Sequence, residues 1–349
     1  MTRLLEIRNR IFRVYGQLET YLFPIVKFLL ALAIFFIINH NIGYMEKISS
    51  VPMTFLLALV CCILPVNGTI CIAAVVILLD MYAVSVEVAL VTLILFLFIY
   101  LVYFRFAPKN GIPALLTPIC FHFRIPYIMP VASGLLGEWY SFVSVICGTV
   151  IYYFLDGIHQ NISTFNSVAL AEETSDAEVK LTVALNQLIG NREMYLVVGV
   201  FAATSLIVYF VRRMSIDYAW TIAIIAGMLI QIVGLITGYA VLNIEDRTML
   251  LLAGGLISLL ICFVLEFLLM NLDYARTERV QFEDDEYYYY VRAVPKKLVA
   301  TPEKTVKHFG NTASMGRKID RGRRGAGNDE EVSRRAFAQE MDIDEDLLK

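Results

Sequence analysis

The stretch VPMTFLLALVCCILPVNGTICIAAVVILL (residues 51–79) is apolar for longer than one helix requires, and Pro65, Asn67 and Gly68 interrupt it. A second stretch, IPALLTPICFHFRIPYIMPVASGLLG (112–137), repeats the plan. Pro stands second in both, at Pro52 and Pro113, and recurs thirteen positions later, at Pro65 and Pro126. Proline removes a backbone donor and crowds the preceding turn, while glycine tolerates a tight reversal. Residues 51–83 therefore read either as one long kinked helix or as two short helices meeting at Val66-Asn67-Gly68, and the second fits better. Residues 112–136 carry Pro113, Pro118, Pro126, Pro130 and Gly134, a density that argues against any regular helix through the whole segment.

Working outward, each broken segment runs into an apolar span, 86–104 after the first and 140–154 after the second. Further spans are expected at 22–39, 194–211, 218–241 and 249–270, each about as long as ~30 Å of hydrocarbon requires. The reading is an all-α polytopic membrane protein with about six full spans and two re-entrant helical hairpins. Composition agrees: mean hydropathy is +0.66, 58% of residues are hydrophobic and only 17% are charged, against about a quarter charged in soluble domains. Charge is also segregated, because the first 270 residues hold 14 Lys+Arg and 16 Asp+Glu while the last 79 hold 15 and 16.

Orientation follows from short basic flanks, which favour the cytoplasm. These are Arg3, Arg8, Arg10 and Arg13, then Arg105 with Lys109, Arg212 with Arg213, and Arg276 with Arg279. Parity then makes 51–83 begin and end outside and 112–136 begin and end inside. Two such units, 51–104 and 112–156, form an inverted pair whose turns are expected to meet near mid-membrane. The alternative is a Pro-kinked pair of spans with no duplication behind it. Both termini are expected in the cytoplasm of a plasma-membrane protein.

The remaining organisation is simpler. Residues 1–20 read as an amphipathic surface helix or a plain basic flank, and Lys27 should snorkel. Residues 157–192 form a polar external loop with a weak helix at 178–189. Residues 193–270 form a three-span unit in which Gly227, Gly234 and Gly238 allow close packing. The tail, 271–349, is charged and largely disordered by composition, with one strand-like patch at 287–291.

Two polar groups stand out within the apolar segments. Asn67 and Thr69 lie at the first break, and His122 and Arg124 at the second. An intramembrane Arg is costly unless it meets water, an anion or an acid, so these four residues are the expected solute pathway. The bland reading places Arg124 in a cytoplasmic loop. Gln231 and Glu266 are the intramembrane polar or coupling candidates, with lipid head groups an equal explanation for Glu266.

The sequence carries no phosphate-binding loop, HExxH, GxSxG or CxxC. The six cysteines all fall in apolar windows, as small core residues do. No cofactor is expected, and a net charge of −3 offers no nucleic-acid surface. Paired Pro/Gly-broken hydrophobic segments point to a transport-type site, so movement of a small polar or anionic solute is the favoured expectation. The competing class is a membrane scaffold that recruits protein partners, or a second copy of itself, through 271–349. A membrane enzyme would need His122, Arg124 and an acid to converge.

Overall fold

In the computed structural model, residues 2–163, 176–243, 248–270, 278–283 and 287–293 are described. Helix α1 (Thr2–Asn41) is continuous through Pro24, so the basic N-terminal segment and the first span are one rod rather than two elements. The loop 42–50 leads to α2 (Val51–Ile63), which begins with Pro52 in its first turn, where the missing N–H is harmless. Helix α3 (Val66–Val84) starts immediately after Pro65. The first break is therefore Leu64-Pro65, and Asn67 and Gly68 belong to the opening turn of α3. Helix α4 (Val86–Phe106) is capped by the Ser85 hydroxyl, which accepts from the Val88 amide.

The Pro-rich segment resolves into two short helices, α5 (Gly111–His122) and α6 (Ile128–Leu136). Pro113 and Pro130 sit in first turns, so only Pro118 falls inside a helix. The sequence reading overestimated the disruption because a first-turn proline costs no hydrogen bond. Helix α7 (Ser141–Gln160) follows and extends six residues past the expected end of its span. Helices α8 (Asp176–Ile189), α9 (Arg192–Arg212), α10 (Ala219–Leu242) and α11 (Thr248–Leu269) complete the bundle. The fold is not wholly helical, because β1 (Glu278–Glu283) and β2 (Tyr288–Ala293) pair antiparallel across the strand-like tyrosine patch. The tail beyond 293, including its expected disorder, lies outside the described residues.

Contacts give the direction of each helix. Cys62 and Leu64 of α2 meet Pro24 and Lys27, while Thr54 meets Asn39, so α1 and α2 are antiparallel. Lys27 does not simply snorkel: its ammonium donates to the Leu64 carbonyl at the break. Helix α3 returns, and the Met45 amide donates to Asp80 near its end. Tyr103 and Pro108 at the end of α4 meet Asn67 at the start of α3. One end of the bundle thus carries Arg105, Lys109, Arg212 and Arg213; it is called the basic end below. The far end carries Asn41, Asp80, His159 and Glu193.

Helices α5 and α6 form a hairpin whose two feet stand at the basic end. At one foot Asn110 donates to Ser141. At the other, the Arg212 guanidinium donates to the carbonyls of Leu135 and Gly137, the last acceptors of α6. That arrangement satisfies groups every helix terminus leaves open and places a cation on the negative end of the helix dipole. The tip packs against α11, where the Arg124 carbonyl and the Tyr127 ring lie against Gly254. A side chain at Gly254 would meet that carbonyl at 2.7 Å, so the bare backbone is what admits the tip.

Seven stretches are long and apolar enough to cross a bilayer: Leu18–Asn41, Val66–Val84, Val86–Phe106, Ser141–Gln160, Lys180–Arg212, Ala219–Leu242 and Thr248–Leu269. The addition to the expected six is α3, which is long and apolar enough to cross by itself. The outer faces confirm the solvent. Leu93, Ile94, Leu97, Phe98 and Leu101 all face outward on α4, as do Leu256, Ile257 and Leu260 on α11. Continuous apolar faces of this extent belong against lipid rather than water. The architecture is that of a polytopic helical membrane protein.

Candidate functional site

Helices α1, α3, α4, α5 and α7 surround a cavity of about 370 Å³. Its walls are mostly aliphatic and aromatic, among them Ile38, Ile77, Phe96, Leu115 and Ile151. Polar groups gather at its two ends.

The floor lies at the basic end, where Tyr103 of α4 is 3% exposed. Its hydroxyl donates to Asn67 Oδ1 across 2.8 Å, and Asn67 Nδ2 donates to the Pro108 carbonyl at 2.9 Å. Gly111 fits beneath this group, because a Cβ there would meet Val66, Asn67 and the Tyr103 hydroxyl at about 3 Å. Asn67 thus joins the starts of α3 and α5 to the end of α4. Cys147 of α7 lines the cavity near the same level.

The mouth lies at the far end, where Asn41 closes α1, His122 closes α5, and Asp156 and His159 occupy the last turns of α7. Asn41 Nδ2 lies 3.3 Å from His122 Nδ1. An amide nitrogen can only donate, so the His122 ring proton resides on Nε2. The Tyr44 hydroxyl lies 3.2 Å from His159 Nδ1. Burial, followed by the nearby Asp80 carboxylate, pushes the Tyr44 phenol above its ordinary value. His122 thus offers an N–H at Nε2. Asp156 accepts from Gln160.

Arg124 completes the mouth from the hairpin turn. Helix α5 ends in a Schellman motif, with Ile125 N–H donating to Cys120 and Arg124 N–H to Phe121. The residue at that position must be left-handed, and Arg124 has φ 60°. Glycine is the usual occupant, and a side chain there costs roughly 1–2 kcal/mol. Arg124 is exposed at the cavity, and no described residue hydrogen bonds or ion pairs with its guanidinium. A strained backbone carrying an unpaired cation at a cavity mouth is the pattern expected of a ligand-binding group.

The six residues singled out by sequence are therefore distributed as follows. His122 and Arg124 share the mouth, whereas Asn67 does not line the cavity and is tied to it only through Tyr103, which does. Thr69 is buried, and its hydroxyl meets the Cys61 thiol of α2, away from the cavity. The two breaks do not meet at mid-depth: the Leu64-Pro65 turn lies by Lys27, whereas the Arg124 turn lies by Asn41 and Gly254. Gln231 is 1% exposed at the centre of α10, and neither of its polar atoms has a hydrogen-bond partner among the described residues. Glu266 pairs with Thr221 rather than with Gln231.

Sequence reading missed Asn41, Tyr103 and His159. They stand at the ends of three different helices, so no local spacing connects them. Among the described residues, no three His, Cys, Asp or Glu side chains gather as a metal site would require. Comparison of the chain with protein-family models, with curated proteins and with solved structures found no match. The class therefore rests on the architecture itself.

Proposed function

We propose that the protein is a membrane carrier that moves a small anionic or polar solute through the α1–α3–α4–α5–α7 cavity. The observation that carries this reading is Arg124: a guanidinium without a partner among the described residues, on a strained turn at the mouth of the cavity. The solute anion is taken up by Arg124 with the His122 N–H and the His159 imidazole. The Asn67–Tyr103–Pro108 hydrogen bonds are the closed gate at the other end. Opening that gate while the hairpin tip closes over the mouth gives access from alternate sides.

In this reading α5–α6 is a re-entrant hairpin entering from the cytoplasm, and α2–α3 is its inverted counterpart of unequal depth. The basic end faces the cytoplasm of a plasma membrane, and both termini lie on that side. Thiol labelling of Asn67→Cys and Arg124→Cys in a cysteine-free background tests the orientation. The first should label only from the cytoplasmic face and the second only from outside.

Uptake of labelled organic anions into vesicles containing the purified protein tests the function. Flux that falls at least tenfold in Arg124→Ala and in Asn67→Ala supports a carrier. Flux equal to protein-free vesicles sinks it.

A second reading, a scaffold that binds a protein partner, is favoured by the β1–β2 hairpin, where Tyr287, Tyr288, Tyr289 and Tyr290 are all exposed. Loss of a co-purifying partner on deletion of 278–293, with no anion flux in the intact protein, would select it.

A further inference from the structure

We infer that the solute is a single-chain amphipathic acid, with an anionic head at Arg124 and a hydrocarbon body extending down the cavity. This rests on the carrier reading and names its substrate class.

The argument comes from the unequal chemistry along the cavity. A site built for a small hydrophilic anion places polar donors around the whole ligand, because each unreplaced hydration contact is lost affinity. Here the charged side chains and imidazoles gather at the mouth, with the Tyr152 phenol near them. Between the two ends the walls include Ile38, Ile77, Phe96, Leu115 and Ile151, none of which can replace water around a charge. Toward the floor stand the phenols of Tyr100 and Tyr103, and the Tyr103 hydroxyl is already committed to Asn67.

The cavity therefore rewards burial of methylene groups along its length and burial of charge only at the mouth. Its helices also run nearly the full depth between mouth and floor, since α5 rises from Gly111 at the floor to His122 at the mouth. Twelve residues of α-helix span about 18 Å. A mostly apolar cavity of about 370 Å³ along that depth, with one cationic rim, suits an extended chain with an acidic head. Among the described residues Asp156 is the one carboxylate lining the rim, and it disfavours a second negative charge on the body of the ligand.

Calorimetric binding to the purified full-length protein in phosphatidylcholine nanodiscs tests this, with empty nanodiscs as the partitioning control. The probes are butyrate, hexanoate, octanoate, decanoate, decyl phosphate and decanol. Each added methylene should tighten binding about fourfold, up to the length at which the bore is full. Decanol should bind at least tenfold more weakly than decanoate, and Arg124→Gly should erase that difference while suiting the turn. Decyl phosphate distinguishes the head: tighter binding than decanoate assigns a phosphate, weaker binding a carboxylate. Ala74 lies on the cavity wall, so Ala74→Phe should shorten the longest chain accepted.

Affinity independent of chain length overturns the inference, as does equal binding of decanol and decanoate. Flux of butyrate with no chain-length preference would leave the carrier standing and remove the amphipathic substrate. Chain-length-dependent, Arg124-dependent binding without flux would do the reverse.

Discussion

Tyr103 and Asn67, thirty-six positions apart, are joined by a 2.8 Å hydrogen bond at the basic end of the bundle. The bond is between the last turn of one helix and the first turn of another, so it breaks whenever α3 and α4 separate at that end. In the proposed carrier it would report the state of the gate.

Tyr103→Phe keeps the ring and deletes the donor, leaving Asn67 Oδ1 without its partner at a cost of about 1–3 kcal/mol. The expected outcome is a gate that opens more often. Cys147, which is 5% exposed, should then react faster with a membrane-impermeant maleimide added at the basic face, measured with the other five cysteines replaced. An unchanged labelling rate would show that the bond is not what closes the floor.

Arg124 is the one place where stability and binding should move in opposite directions. Arg124→Gly removes the left-handed penalty and should stabilise the protein by about 1 kcal/mol. The same change removes the anion contact and should abolish flux. Arg124→Ala loses the contact and keeps the strain, so it should be inactive without gaining stability. Thermal unfolding in detergent and vesicle uptake, measured on the same preparations, separate the two effects.

Arg212 holds the second foot of the hairpin. Arg212→Ala frees the carbonyls of Leu135 and Gly137 and should destabilise the protein by about 2 kcal/mol. Arg212→Lys retains the charge but cannot span both acceptors in the planar way a guanidinium does, so it should recover only part of the loss. Full recovery by lysine would mean that charge, and not the paired geometry, anchors α6.

Two glycines provide a matched contrast. A Cβ at Gly134 would meet the Ser205 carbonyl at 2.7 Å and Val208 at 2.8 Å, whereas nothing lies within 4 Å of one at Gly199. Gly134→Ala should therefore cost about 1–3 kcal/mol by forcing α6 away from α9. Gly199→Ala, in the interior of α9, should be neutral or slightly stabilising. Similar unfolding temperatures for the two variants would contradict the packing described here.

The contrast between broken segments shows where local reasoning is reliable. Proline and glycine act on their own backbone, so the interruptions at Pro65 and between His122 and Pro126 were visible in the chain. Their exact form depended on position within a turn: Pro113 and Pro130 initiate helices, and only the completed helix reveals that. The tyrosine-rich patch read as a strand because aromatic and β-branched propensity is local, but its partner, β1, needed the fold.

Apolar length and charge distribution, which are properties of contiguous residues, were enough to determine a helical membrane protein with broken segments and a basic end. Which polar residues share a cavity was decided by tertiary structure alone. Asn41, Tyr103, Arg124 and His159 come from α1, α4, the α5–α6 turn and α7, and helix packing in a bilayer is governed by close contacts that leave no periodic trace in sequence. The same packing separated the two breaks, setting the Leu64-Pro65 turn beside Lys27 and the Arg124 turn beside Gly254.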